Sequence, residues 1–146
     1  MKSIIQRVSR AKVTVSDKIT GEIDKGILVL LGVTHEDSEK DVDYLIDKIT
    51  NLRIFPSDKS EFDKSVLDVN GSLLAVSQFT LYGSTKKGRR PDFIKAAKPD
   101  HAEALYELFV EKARATGLNV QTGEFRAMMD VELVNDGPVT LEIESK

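Results

Sequence analysis

A chain of 146 residues with a net charge of −3, 40% hydrophobic and 31% charged residues has the balance of one compact domain, not of a disordered segment. It has no cysteine, which excludes disulfides, thiolate-held zinc, iron–sulfur clusters and a thiol nucleophile together. An acidic balance also argues against a general polyanion binder, so any contact with nucleic acid must come from a local basic segment.

Residues 1–15 alternate polar and apolar side chains, with β-branched Val13 and Val15 at the far end. They read as the first strand of the fold, because a signal peptide would need a continuous apolar run. Ile19–Ile23 predicts a short second strand, and Asp24-Lys25-Gly26 a turn. Ile27 to Val33 is unbroken and apolar, the pattern of a strand buried on both faces. Ser38 then predicts a helix N-cap, with Glu39 and Asp41 suited to the first turn. Val42, Leu45, Ile46, Ile49 and Leu52 form its apolar stripe, and Pro56 lies beyond its end.

Residues 57–65 read as a loop and Asn70-Gly71 as a turn. Ser72 to Tyr82 predicts another strand, followed by a basic loop over 83–91. Asp100 is expected to cap a second helix carrying Ala104, Leu105, Leu108, Phe109 and Ala113, closed by Gly117. Strands return over 118–122, 129–134 and 139–143, the last two separated by Asn135-Asp136-Gly137-Pro138. Strands at both ends and two main helices between them predict one α+β domain over 1–146 with a mixed sheet. No apolar run approaches the ~20 residues that cross a bilayer. The absence of cysteine fits the cytoplasm.

The two histidines, His35 and His101, lack the spacing of a metal pair, and no nucleophile elbow, Walker loop or dinucleotide fingerprint accompanies them. A triad through either stays open, since triads assemble in space. Three places stand out instead. Alternation along 73–82 puts Gln78 and Thr80 on one face at the end of a buried strand, where an unpaired amide or hydroxyl costs roughly 1–3 kcal/mol. Either neighbouring groups or a ligand must pair with them. Asn135-Asp136-Gly137-Pro138-Val139-Thr140 reads as a hairpin turn between strands, with an X-Pro bond that tolerates cis. Lys86, Lys87, Arg89 and Arg90 form either a solvated loop or a phosphate-binding one.

Ser77-Gln78-Phe79-Thr80-Leu81 and Asn135-Asp136-Gly137-Pro138-Val139-Thr140 resemble the two signature motifs of the D-aminoacyl-tRNA deacylases, also called D-tyrosyl-tRNA deacylases. The resemblance spans essentially the whole chain, from Ile5-Gln6-Arg7-Val8 through Arg53-Ile54-Phe55 and Gly88-Arg89-Arg90-Pro91 to Thr122-Gly123 and Phe125. It implies a barrel-like fold, a homodimer, the aminoacylated 3′ end of tRNA as substrate, and no metal or organic cofactor. It further implies that Gly137-Pro138 is cis and enters the other subunit's pocket, where its carbonyls exclude L-aminoacyl groups. Arg7 would steady that motif. Ser77, Gln78, Phe79 and Thr80 would hold the terminal adenosine and the ester, while Phe125 and Met129 line the pocket. The attacker would be a water helped by the substrate's 2′-hydroxyl, with Thr80 orienting and backbone N–H groups near Phe79 and Thr80 stabilising the oxyanion. Glycyl-tRNA would also pass such a filter.

Departures from the family pattern fall at Arg126, Met128 and Glu61-Phe62-Asp63. Two other classes stay open on the sequence: a non-catalytic tRNA- or nucleotide-binding module that uses the 86–90 loop, and a small-metabolite hydrolase.

Overall fold

The computed structural model describes residues 1–146. The first strand, β1 (Lys2–Val15), is long enough to serve three partners. Its first half pairs antiparallel with β3 (Gly26–Gly32) and its second half with β2 (Lys18–Ile23), both on one edge. Its other edge is taken by β6 (Asp130–Glu144). From β3 the sheet continues in parallel through β4 (Ser72–Ser77) to β5 (Asn119–Thr122). The sheet is therefore mixed, and it curls until β5 lies against β2. A Cβ on Gly21 would sit 2.4 Å from the Thr122 carbonyl oxygen, so only glycine lets this nearly barrel-shaped sheet close.

The curl gives each central strand two apolar faces, as the unbroken run 27–33 predicts. Ile27, Val29 and Leu31, with Leu73 and Ala75, face the helices. Leu28, Leu74 and Val76 face inward with Val8, Val13 and Ile23. Each such side chain contributes roughly 1.5–3 kcal/mol of burial. Helix α1 (Glu39–Asn51) begins where Ser38 and the acidic first turn place it, and the Ser38 N–H donates to Asp41 Oδ2 at 2.8 Å.

Helix α2 (Pro99–Ala115) differs from expectation at its start: Lys98 is the N-cap and Asp100 lies inside the first turn. Proline's fixed φ and missing donor suit the first helical position, so Pro99 starts the helix ahead of Asp100. The buried stripe is Ala102, Leu105, Tyr106, Phe109, Val110 and Ala113, which leaves Ala104 exposed. No helix is long and apolar enough to cross a membrane.

Two strand expectations are corrected. The strand predicted over 72–82 stops at Ser77, and Phe79–Tyr82 is a 3₁₀ turn. The Gln78 N–H donates to the Leu31 carbonyl at 2.8 Å as a last rung, after which the chain curls back. The strands predicted over 129–134 and 139–143 are one strand, β6. Asn135–Pro138 does not reverse the chain, because both halves pair with β1 in the same direction, Arg10 opposite Val134 and Gln6 opposite Thr140. The motif is an excursion out of a continuous strand.

Burial would raise the carboxyl of Asp41, but donors from Ser145 Oγ and the Ser38 N–H, together with nearby positive charge, outweigh it and hold the pKa at about 2. A depressed carboxylate stabilises the fold above its unfolded value of about 3.9, and that contribution is lost as pH falls through the folded value. Unfolding free energy is thus expected to drop between about pH 4 and pH 2 by an amount that Asp41→Asn abolishes. An identical acid limb in the variant would reject this assignment.

Candidate functional site

The carboxyl ends of the parallel strands β3, β4 and β5 lie at one end of the sheet, the usual place for a ligand where strands run parallel. There the chain leaves β4 through Gln78 and winds into the 3₁₀ turn, which brings Gln78 and Thr80 together. The Gln78 amide donates to the Thr80 hydroxyl oxygen. The two side chains share a side, as alternation predicts, but the cause is the turn and not a pleat. Nor are they deeply buried: Gln78 is half-buried and Thr80 exposed. The N–H groups of Phe79 and Thr80, first in the turn, have no partner inside it, whereas Leu81 and Gly83 donate back to Gln78 and Thr80.

Both histidines are committed elsewhere. His35 Nε2 lies 2.6 Å from the Ile94 carbonyl oxygen, and His101 Nε2 lies 3.0 Å from that of Asp37. Each fixes a loop, and neither contacts Thr80. A hydroxyl without a base is a poor nucleophile.

The second motif is held from both legs. Arg7 Nε donates to the Asp136 carbonyl at 2.8 Å and Nη1 to the Ile54 carbonyl at 2.6 Å, tying the excursion to the segment after α1. On the other leg the Asn135 side chain accepts from the Val139 N–H at 2.7 Å and donates to the Val139 carbonyl at 3.2 Å, closing the neck. The Gly137-Pro138 peptide between them is cis, and Gly137 has φ +145°. Both residues are exposed. Asn135 and the Ile54 carbonyl are anchors that sequence reasoning missed. The Asn135 side chain acts only through the local chain path, and a backbone carbonyl leaves no trace in a sequence.

The two motifs are not brought together within one chain. Three strand spacings separate β6 from β4, roughly 14 Å, and register sets Ser77 level with Ser3 but the excursion level with Arg7, roughly 13 Å along the strands. Phe125 and Met129 follow β5 and so belong to the end of the sheet that carries Gln78. Phe125 packs on Tyr106 at 6.0 Å between centroids, and the Met129 thioether lies against Gly123.

A cleft of about 520 Å³ opens beside Phe125, Tyr106 and Arg114, but Glu107, Glu111 and Glu124 line it. Those carboxylates make it a poor track for phosphates. Lys86, Lys87, Arg89 and Arg90 are exposed, and no carboxylate lies within ion-pair distance of any of them.

The departures sit around these features. Arg126 occupies a left-handed φ of +64°, Met128 is 92% exposed, and Asp63 accepts hydrogen bonds from Arg53 and Ser57.

Two N–H groups left unpaired at the start of a strand-ending turn, with neither histidine beside Thr80, set this small α+β protein apart from an elbow-type hydrolase. The chain belongs to the D-Tyr-tRNA(Tyr) deacylase family, whose model matches residues 4–144. It is 57% identical over 146 residues to the D-aminoacyl-tRNA deacylase of Bacillus thuringiensis (strain Al Hakam), covering 100% of both chains. It is 59% identical over 144 residues to the protein of that name from Exiguobacterium sp. (strain ATCC BAA-1283 / AT1b), covering 99% of this chain and 98% of that one. Among solved structures, the c-Myc DNA unwinding element binding protein superposes with a TM-score of 0.93 at 43% identity, over 100% of this chain and 99% of that one. A probable eukaryotic D-amino acid tRNA deacylase gives 0.82 at 18% identity over 97% and 98%, which speaks for the fold.

Proposed function

We propose that this chain hydrolyses the ester joining a D-amino acid to the terminal ribose of tRNA, releases both, and spares L-aminoacyl esters. Family membership supports the reaction, and the separation of the two motifs supports the way the site is built. Neither half of the site is complete alone: the turn at Gln78–Thr80 and the excursion at Gly137-Pro138 lie too far apart in one chain to touch a single carbon atom. A second copy, docked so that its excursion meets this turn, brings them together. The homodimer is the working unit on this reading.

The terminal adenosine and the ester lie against Ser77, Gln78, Phe79 and Thr80, with Phe125 and Met129 closing the pocket. The N–H groups of Phe79 and Thr80 take the oxyanion, and a water assisted by the substrate's 2′-hydroxyl attacks. Discrimination is steric. The partner's excursion occupies the space an L side chain needs, one device that rejects every L-residue. Glycyl esters lack that side chain and pass, so resistance of glycyl-tRNA at high enzyme concentration would count against a purely steric filter.

Incubation of purified protein with D-tyrosyl-tRNA and L-tyrosyl-tRNA tests the reading directly. Rapid loss of the D-ester with the L-ester spared is the expected result. Equal loss of both would leave an esterase without a filter. Loss of neither, from folded protein, would favour a polynucleotide-binding module, the second reading to which the name of the 43%-identical structure lends weight.

The loop cations contribute on-rate and salt dependence. Each phosphate contact to single-stranded nucleic acid contributes about 0.7 to the log–log salt slope, so replacing Lys86, Lys87, Arg89 and Arg90 by alanine should flatten the slope of kcat/KM by up to about 3. An unchanged slope would return the loop to plain solvent exposure.

A further inference from the structure

The segment between the 3₁₀ turn and α2 is more ordered than its polar sequence suggests. Ser84 and Asp92 exchange both backbone hydrogen bonds, at 2.8 and 3.0 Å, which sets residues 85–91 on a fixed neck. Past the neck, the Thr34 hydroxyl donates to the Lys95 carbonyl at 2.5 Å, and the Ala97 N–H donates to the Val33 carbonyl at 2.9 Å. Phe93 is held between these anchors. Its ring lies 5.1 Å from that of Phe79 at 69° and fills the space beside Gly83, where a Cβ would come within 2.9 Å of it.

Fixed as it is, this surface is not covered: Phe79 is 55%, Phe93 37% and Ile94 75% exposed. An exposed aromatic side chain between an ester-binding turn and four unpaired cations is the combination that binds single-stranded nucleic acid, with bases on rings and phosphates on cations. Phe93 lies against the turn, and the chain that carries the cations leaves from the neck next to it. The order on an aminoacylated strand is terminal ribose, next base, further phosphates.

Resting on the deacylase reading, we propose that Phe93, flanked by Ile94, is the seat for the base of the nucleotide immediately 5′ to the terminal adenosine. The loop 85–91 holds the phosphates beyond it. The site engages the single strand of the substrate and not its helical body.

The test compares kcat/KM for D-tyrosyl-tRNA with that for D-tyrosyl-adenosine, which ends where the proposed seat begins. Phe93→Leu is expected to lower the ratio of the two about tenfold, chiefly through KM, and Phe93→Trp to restore it. An unmoved ratio, or equal losses on both substrates, would overturn the proposal, the second because the ring would then only buttress Phe79. Should Phe93→Leu fail to fold, Ile94→Asp at the exposed flank is expected to lower the same ratio, and a ratio it left unmoved would count equally against the seat.

Light scattering guards the assignment of the occupant. A change in particle mass with Phe93→Leu would assign this face to a second copy and sink the proposal. Anisotropy of an uncharged RNA hairpin ending in the tRNA 3′ single strand separates this inference from the reading beneath it. Binding is expected to weaken about tenfold in Phe93→Leu whether or not any ester is cleaved.

Discussion

Gly137→Ala is expected to lower the preference for D- over L-tyrosyl-tRNA by about two orders of magnitude, the usual cost of displacing a positioning group by an ångström. The displacement is forced. At φ +145° an L side chain is strained, and its Cβ would lie 2.9 Å from both the Val139 nitrogen and Val139 Cγ2, and 3.2 Å from Arg7 Nη2. Neither the backbone atom nor the clamped guanidinium yields easily, so the excursion must move as a unit. Its surroundings need not follow, since Gly137 is exposed and both halves of β6 are paired independently with β1. Thermal stability should therefore change little while selectivity collapses. A variant that kept both its rate and its D-to-L ratio within about threefold would remove Gly137 from the filter.

Arg7→Ala should act on stability and selectivity together. The Ile54 carbonyl belongs to a buried residue, and losing its donor leaves it unpaired at a cost of about 1–3 kcal/mol. The contact between Arg7 and the Asp136 carboxylate, at 3.5 Å with the latter half exposed, adds little beyond this. Arg7→Lys separates charge from shape. An ammonium keeps the charge but cannot reach the Asp136 and Ile54 carbonyls with one rigid fork, so it should resemble alanine in selectivity. Chemical unfolding of the variants and parallel D- and L-ester assays check both effects. Full function in Arg7→Lys would show that positive charge alone steadies the motif.

Fold and site were legible to different depths, and the reason is range. The buried strand Gly26–Gly32 and the helix starting after Ser38 are written in contiguous residues, and both stand where periodicity puts them. The end of β4 is not, because polar–apolar alternation runs on through Leu81. What ends it is the turn beyond the last rung to Leu31, in which Leu81 and Gly83 donate back to Gln78 and Thr80. Asn135-Asp136-Gly137-Pro138 reads locally as a reversal. Only a partner as long as β1, holding both flanks, makes it an excursion instead. Resemblance to a family supplied what spacing could not, including a link between Arg7 and the second motif; the carbonyl it uses, 129 residues away, is visible only in the structure.

The excursion is fastened at its base and borne by a strand whose register on either side does not depend on it. Damage there is consequently invisible to cellular surveillance, which disposes of proteins according to how much unfolded chain they expose. On the proposed reading of the excursion as a filter, a chain altered within 136–138 would persist at normal abundance while hydrolysing correctly charged tRNA, which is a worse fault than absence.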